Sequence, residues 1–235
     1  MMLPIGAVLV DFDGTACAHD VAEHLLDEFA SGDWECLDEA WERGALGAQE
    51  VVAAQSRMLD ADRVTLLDHA RSHCTMDPTF APFVTWAHER GIEVALASDG
   101  FGFYIEPLLA AAGIPPIPVI TNEQRWDGDS RPDGLGFPNR HPECLGCGTC
   151  KMRAVLDRRG PHGAVAFVGE GSSDRYAALY ADVTFAKLAL VAHCERDGVP
   201  FVPWNDFDDV RRWLETAEAL PGPVSPKRCP GWTVP

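Results

Sequence analysis

The sequence is poor in basic residues and has no long apolar run. Its 19 Lys and Arg face 36 Asp and Glu, which gives the 235-residue chain a formal net charge of −17. Such a charge repels nucleic acid and anionic membranes, and no local cluster of bases offsets it. No segment approaches the roughly 18 consecutive apolar residues of a transmembrane helix. We therefore expect no nucleic-acid partner and no membrane association.

The chain also lacks the marks of an export signal, because its first residues lead into a strand without a charged leader or a cleavage site. We expect a cytoplasmic protein, in which the eight cysteines are reduced thiols and not a disulfide scaffold. Three cysteines have the spacing of zinc ligands: Cys144, Cys147 and Cys150. A fourth ligand could come from His141, Cys194 or Cys229. A lone triplet is a weak zinc signal, so a structural or pocket-lining thiol cluster is favoured.

What the sequence does have is a pair of carboxylates directly after an apolar run. Asp11 and Asp13 follow residues 6–10, which read as a buried parallel strand. The carboxyl end of such a strand faces the ligand crevice of an open α/β sheet. One carboxylate can attack phosphorus while the other serves as general acid and then general base. An acidic loop is the plainer explanation of this pair alone, but three further motifs follow it.

The second and third motifs carry groups that bind anions. A second apolar strand, residues 92–97, ends in Ser98, Asp99 and Gly100, a turn that can offer a hydroxyl and backbone N–H groups to a phosphate oxygen. Lys151 opens a predicted helix, where its ammonium and the helix N-terminus both favour an anion.

The fourth motif supplies further carboxylates. Another apolar strand, residues 165–169, is followed by Glu170 and Asp174. Mg²⁺ prefers oxygen ligands and keeps several waters, so it matches a site with few protein ligands and a phosphate to share.

These motifs, in this order, resemble the haloacid dehalogenase superfamily of phosphatases. The resemblance implies a Mg²⁺-dependent phosphomonoesterase with an aspartyl-phosphate intermediate and assigns four catalytic residues: the nucleophile Asp11, the acid and base Asp13, and the phosphate ligands Ser98 and Lys151. It also implies the metal ligands: Asp11, the backbone carbonyl of Asp13, Glu170 and Asp174, the last as a ligand or in an orienting role. The chain departs from the pattern in two places, with Glu170 where Asp is usual and Asp99 where relatives often have glycine.

Residues 141–151, 185–187 and 202–207 resemble a narrower group, the methionine-salvage phosphatases that act on 2-hydroxy-3-keto-5-methylthiopentenyl-1-phosphate. That group is similar to phosphoserine phosphatases. The expected partner is a small phosphorylated metabolite, and the expected state is a monomer or a homodimer. The alternatives are a phosphoserine-type or specialised-pathway phosphatase and, in another class, a non-hydrolysing phosphometabolite-binding protein.

The predicted fold is an α/β Rossmann-like core with a parallel sheet and an inserted helical cap. Residues 1–17 and 75–235 form the core, with an irregular excursion or hairpin at 121–150, and residues 18–74 form the cap. The last core strand is predicted at 182–185 and a terminal helix at 206–220.

The cap is expected to set the substrate. The resemblance to phosphoserine phosphatases suggests Asp20 and Arg57 as substrate contacts, beside Asp99 and Gly100 of the core, although a solvated helix face explains Arg57 equally well. Trp34 and Trp41 read as core residues of the cap in preference to a substrate box.

Overall fold

The computed structural model describes residues 5–128, 130–142, 144, 146–159 and 163–224. Its strands are β1 (Ile5–Val10), β2 (Glu93–Phe101), β3 (Val119–Asp127), β4 (Arg131–Gly136), β5 (Ala164–Gly169), β6 (Val183–Ala186) and β7 (Phe201–Pro203). They form one sheet in the order β4-β3-β2-β1-β5-β6-β7. All neighbouring strands are parallel except β3 and β4, which form an antiparallel hairpin. The predicted Rossmann-like α/β fold with a parallel sheet is confirmed.

The described helices occupy the connections between the strands, except for the last, which follows β7. They are α1 (Val21–Phe29), α2 (Glu35–Glu42), α3 (Ala48–Met58), α4 (Arg63–His73), α5 (Phe80–Glu89), α6 (Gly102–Ala111), α7 (Lys151–Arg158), α8 (Arg175–Tyr180), α9 (Leu188–Asp197) and α10 (Phe207–Thr216). Several begin at an Asp whose side chain accepts a backbone N–H of the first turn, as Asp20, Asp62 and Asp206 do. Within the described ranges no helix is long and apolar enough to cross a membrane.

The sheet is buried on both faces because its central strands are apolar at nearly every position. In β1 every residue but Gly6 is buried, and alternate side chains enter two separate clusters. Val8 and Val10 pack with α5, α6 and α10 on one face, whereas Ala7 and Leu9 pack with α7 and α8 on the other. This double burial fixes the carboxyl ends of the central strands at one edge.

Two predicted elements differ from those observed. The strand at 182–185 is not the last, because β7 pairs with β6 at the sheet edge. With only three residues, one of them a proline, β7 gives almost no periodic signal. The terminal helix ends at Thr216 instead of residue 220. The excursion at 121–150 contains the β3–β4 hairpin, one of the two forms predicted for it.

Helices α1–α4 lie between β1 and α5, where the sequence predicts the cap, and they contact the hairpin excursion. Ser56 Oγ donates to Gln124 Oε1 at 2.7 Å, and Gln49 Nε2 donates to the Cys147 carbonyl at 2.7 Å. Arg131 of β4 pairs with Asp60 at 2.6 Å. The cap helices are therefore held against the excursion as well as connected to the core through β1.

Phe207 tests the core behind the site. It is fully buried, and its ring centroid lies 4.7 Å from that of Phe80 and 5.3 Å from that of Phe83. We expect Phe207→Ala to lower the free energy of unfolding by about 3–5 kcal/mol, because it removes a large side chain from a packed site. Urea denaturation measures this change. Val64→Ala, at a residue that is 60% exposed, should stay within about 0.5 kcal/mol of the parent, and equal losses would contradict the packing argument.

Candidate active site

The predicted catalytic motifs meet at the carboxyl ends of three adjacent strands. Asp11 follows β1, Ser98 lies near the end of β2, and Glu170 follows β5. Lys151 opens α7 beneath them. All four line a cavity of about 290 Å³ between the core and the cap. The parallel sheet therefore brings motifs that are far apart in the sequence together at one site.

A buried lysine joins two carboxylates at the base of this cavity. Lys151 Nζ lies 2.7 Å from Asp11 Oδ1, 2.7 Å from Asp174 Oδ1 and 2.9 Å from Ser173 Oγ. Lys151 is only 4% exposed and Asp174 is not exposed at all. Burial acts to lower the pKa of Lys151, but the two carboxylates outweigh it and raise that pKa, so the ammonium stays charged. Burial and Asp174 raise the pKa of Asp11 well above its usual range, against the opposing effect of Lys151.

Asp174 holds this lysine and does not face the cavity. Its Oδ2 accepts the backbone N–H groups of Glu170 at 2.9 Å and Gly171 at 3.0 Å, while Oδ1 accepts Lys151. Gly169 makes room for the carboxylate, because a Cβ there would collide with Asp174 Oδ2. Of the two roles predicted for Asp174, the geometry favours orienting Lys151 over binding a metal.

Asp13 lies between the cap and the second motif. Its Oδ1 accepts the backbone N–H of Val21, the first residue of α1, at 3.0 Å, and its Oδ2 accepts Ser98 Oγ at 3.3 Å. Burial, followed by the charge of Asp20, raises the pKa of Asp13 well above its usual range. A carboxyl group in this environment can carry a proton at a pH where an exposed Asp would have lost it.

The residues around the Asp11–Asp13 turn fit a hard cation. The turn reverses at Gly14, whose φ is +66°, and a Cβ there would lie 2.8 Å from Glu170 Cδ. The Glu170 carboxylate therefore lies against the turn, facing the same cavity as Asp11 and Asp13. Within the described chain no three His, Cys, Asp or Glu side chains form a metal site by themselves. Mg²⁺ needs fewer, since it is commonly bound by one or two carboxylates, waters and substrate phosphate.

Lys187, which sequence reasoning did not assign to the site, stands behind Glu170. Its Nζ lies 4.0 Å from the ring centroid of Trp204, and the Trp204 indole N–H donates to the Gly169 carbonyl at 3.3 Å. Burial and Asp174 raise the pKa of Glu170, whereas the charge of Lys187 opposes that change. Residues 185–187 and 202–207, singled out by their resemblance to a narrower group, thus meet at the fourth motif.

The Asp99 side chain is turned towards the loop before α7. Its Oδ1 accepts the backbone N–H of Thr149 at 2.6 Å, and its carbonyl accepts Asn122 Nδ2 at 2.6 Å. Thr149 Oγ1 donates to Asn122 Oδ1 at 3.3 Å and closes the network. Ser98 Oγ accepts the Gly100 N–H at 2.8 Å, which shapes the turn that borders the cavity. Asn122 and Thr149 were missed because their partners are distant in sequence.

The cap supplies part of the cavity wall, but Arg57 does not contribute to it. Asp20 lines the cavity while its Oδ1 accepts the Glu23 N–H at 2.9 Å. One face of α3 and the residue after it also line it, at Ala48, Val51, Val52, Gln55, Ser56 and Leu59. Arg57 lies on the opposite, exposed face, one residue or about 100° beyond Ser56. The prediction that Arg57 contacts the substrate finds no support in this geometry.

The two cap tryptophans have different surroundings. Trp34 is half-buried and packs against the main core cluster, as predicted. Trp41 lines the cavity, so its interpretation as a core residue is wrong. Helical spacing identifies apolar positions but does not distinguish a core from a cavity wall.

The cysteine loop lies beside the cap and does not form a metal site in the described residues. Cys144 and Cys150 are buried, Cys147 is half-buried, and none of them lines the cavity. Cys229, one of the possible fourth ligands, lies outside the described residues. The loop instead offers the Cys147 carbonyl to Gln49 of the cap.

Tyr104 brings an unsatisfied hydroxyl to the site. Its Oη is buried and donates to no acceptor in the described part of the chain, although the backbone N–H of Phe101 faces it outside good hydrogen-bond geometry and opposes the rise in its pKa. Gly100 leaves space for it: a Cβ there would collide with Tyr104 Oη and lie 3.0 Å from both Asp13 Oδ2 and Ser98 Oγ. Burial and Asp13 raise the pKa of Tyr104 well above its usual range, so the hydroxyl stays protonated.

Comparisons with known proteins agree with this geometry. Residues 8–179 match the family model described as haloacid dehalogenase-like hydrolase. A 2-hydroxy-3-keto-5-methylthiopentenyl-1-phosphate phosphatase of Brevibacillus brevis is 30% identical over 213 residues, covering 88% of this chain and 94% of that protein. A phosphatase of the same name from Geobacillus kaustophilus is 28% identical, with coverages of 89% and 96%. Among solved structures, a phospho-aspartyl intermediate analogue of phosphoserine phosphatase has a TM-score of 0.69 at 14% identity and covers 89% of this chain and 98% of its own.

Tyr104→Phe tests whether the hydroxyl serves the fold. The substitution keeps the ring and its contacts with Phe101 and Phe103 but removes a buried oxygen without a partner. We expect the free energy of unfolding to rise by about 1 kcal/mol, because the cost of desolvating the hydroxyl is removed. Chemical denaturation of the ligand-free protein measures it. A clear loss of stability would mean that the hydroxyl has a structural partner.

Proposed function

The chain belongs to the haloacid dehalogenase-like hydrolase family and is a phosphatase, and we propose that it hydrolyses small phosphate monoesters through a phosphoryl group carried on Asp11. The observation that carries this proposal is the ion pair of Asp11 Oδ1 with the buried Lys151 ammonium. It leaves the second Asp11 oxygen uncommitted to the lysine. Asp13, with its raised pKa, faces the same cavity.

In the proposed first step, Asp11 acts as a carboxylate, because its ion pair with the Lys151 ammonium opposes the rise in its pKa that burial causes. Its free oxygen attacks phosphorus and forms a new P–O bond. The bond from phosphorus to the ester oxygen breaks, and that oxygen takes the proton held by Asp13. Ser98, Lys151 and the turn at Gly100 hold the non-bridging oxygens, whose charge must be compensated in the transition state.

In the second step, Asp13, now a carboxylate, takes a proton from water as the water oxygen attacks phosphorus. The bond from phosphorus to Asp11 breaks, so phosphate leaves and the aspartate is regenerated. Asp13 ends each turnover protonated, as it began. The hydrogen bond between Asp13 and Val21 connects the Asp13 carboxylate to the first residue of α1. The position of Asp13 therefore depends on the cap that covers the site.

We propose that Mg²⁺ is held by a carboxylate oxygen of Asp11, the backbone carbonyl of Asp13 and the Glu170 carboxylate. When bound, it supplies positive charge to the phosphate oxygens. The longer Glu170 side chain has room because Gly14 lacks a Cβ.

The substrate to test first is 2-hydroxy-3-keto-5-methylthiopentenyl-1-phosphate, because the relatives from Brevibacillus brevis and Geobacillus kaustophilus are named as phosphatases of this ester. Support from this chain comes from the apolar side of the cavity, which can enclose an apolar tail. That side is formed by Leu25, Leu26, Trp41, Val51, Val52 and Phe103. The second candidate is phosphoserine, because two of the solved structures with a similar fold are phosphoserine phosphatases. Phosphate release from a panel containing both esters would distinguish the candidates.

Asp11→Asn tests the covalent mechanism. An amide is a poor nucleophile of nearly the same shape, so steady-state turnover of p-nitrophenyl phosphate should fall by a factor on the order of 10³ or more. The matched control is Asp27→Asn, at an exposed position of α1 outside the cavity, which should keep full activity. A folded Asp11→Asn protein that retained turnover would contradict nucleophilic attack by Asp11.

Glu170 tests the cation site. Activity should vanish with EDTA and return with Mg²⁺, and Glu170→Ala should raise the Mg²⁺ concentration for half-maximal activity about tenfold or more. Glu170→Asp should be tolerated, because it keeps the charge and the oxygen ligands. Glu195→Ala, at an exposed residue of α9, is the control. An unchanged Mg²⁺ titration in Glu170→Ala would exclude Glu170 as a ligand.

A further inference from the structure

The two ends of the cavity differ in how far positive groups balance their carboxylates. The end that receives the phosphate contains Lys151 and the Asp11–Asp13 turn. The other end, under the cap, combines apolar side chains with four carboxylates, which we call the acidic wall: Asp20, Glu23, Asp38 and Glu42. The wall lies where the leaving group of an ester would extend when its phosphate lies against Asp11.

The carboxylates of the acidic wall lie close enough to repel one another. Burial, together with Asp20 and Asp38, raises the pKa of Glu23 to about 7. Burial also raises the pKa of Asp38, with contributions from Asp20 and Glu42, while Gln55 Nε2 donates to Asp38 Oδ1 at 2.9 Å. Asp20 and Asp38 are half-buried, whereas Glu23 and Glu42 are exposed. The four carboxylates therefore interact electrostatically, with solvent screening the two exposed members.

Within the described chain His24 and Lys151 act on Asp20, whose pKa they lower against the raising effect of burial, whereas the charges that shift the pKa of Glu23 and Asp38 are carboxylates. Lys151 is the one Lys, Arg or His among the described residues that line the cavity, and it is held by Asp11 and Asp174. Arg57 is exposed on the far face of α3, and Arg43 pairs with Glu39 at 3.2 Å. A carboxylate on the leaving group would thus meet like charges and no partner.

A separate observation indicates that this cavity is built for a polar ligand. The buried Tyr104 hydroxyl lies against Gly100, close to Asp13 and Ser98, and donates to no acceptor in the described chain. Buried polar groups without partners are rare in folded proteins and often belong to sites completed by a ligand. Tyr104 borders the same cavity as the acidic wall.

We propose that the acidic wall is a charge filter, which admits phosphate monoesters whose leaving group carries no negative charge and rejects those that carry a carboxylate. The inference rests on the proposed function, because it assumes that phosphate binds at Asp11 and Lys151. Selectivity then comes from a repulsive element on the cap as well as from attractive contacts. The filter distinguishes the two substrate candidates. The leaving group of 2-hydroxy-3-keto-5-methylthiopentenyl-1-phosphate is uncharged, whereas that of phosphoserine carries a carboxylate.

The test compares two esters that differ in one group, n-butyl phosphate and 4-(phosphonooxy)butanoate, with Mg²⁺ at pH 8.5, above the raised pKa of Glu23. The wild-type enzyme should prefer the uncharged butyl ester in kcat/KM by about tenfold or more, the equivalent of one like-charge repulsion. Glu23→Gln and Asp38→Asn should each reduce this ratio, and the double variant should bring it close to one. The ratio cancels changes in folding or in the chemical step that affect both esters.

The control is Glu28→Gln, which removes an acid from an exposed position of α1 outside the cavity and should leave the ratio unchanged. Equal kcat/KM values for the two esters in the wild type, or an unchanged ratio in the double variant, would overturn the filter. Absence of turnover of both esters and of p-nitrophenyl phosphate would contradict the proposed function instead. In that case the dissociation constants of the two esters, measured by calorimetry on the wild-type protein, still test the filter.

Discussion

The structure of the site depends on burying one ammonium group between two carboxylates. A buried ion pair is tolerated only when its remaining hydrogen-bonding groups are also satisfied. Asp174 meets this condition by accepting two backbone N–H groups with its second oxygen, and Ser173 supplies a third ligand for Lys151. The missing side chain of Gly169 makes this arrangement possible. The lysine, in turn, fixes one oxygen of Asp11 and thereby the direction in which the other can react.

A second set of hydrogen bonds, from β2 and β3, also fixes the position of Lys151. Asp99 of β2 accepts the N–H of Thr149, two residues before the lysine, and Asn122 of β3 bonds to both Asp99 and Thr149. The acid at position 99 is therefore unexpected for a phosphate site but reasonable for the loop that leads into α7. Its carboxylate is partly satisfied by that loop, although burial still raises its pKa. Asp99, which departs from the usual pattern of the second motif, thus connects β2 to the loop that leads into α7.

The sequence was sufficient for the parts of the site that follow strands. Asp11, Ser98 and Glu170 were predicted to meet because parallel strands end at one edge and each apolar run was long enough to identify. The parts that depend on helical phase or on distant partners were not accessible. Arg57 and Ser56 are neighbours in sequence, yet the phase of α3 turns the serine to the cavity and the arginine to solvent. The strand β7 was missed for a third reason, since three residues at an edge carry too little pattern.

The net charge of the chain has a different consequence once its charged residues are located in the structure. The net charge of −17 appears in the sequence as a general obstacle to binding an anionic ester. In the folded chain the obstacle is unevenly distributed, because the lining of the described cavity has its positive charge at the Lys151 end, and of the acidic wall His24 and Lys151 act on Asp20 but not on Glu23 or Asp38. Coulomb energies fall with distance and are largest away from water. The local pairing of each carboxylate, more than the total charge of the chain, therefore decides where a negative group can bind.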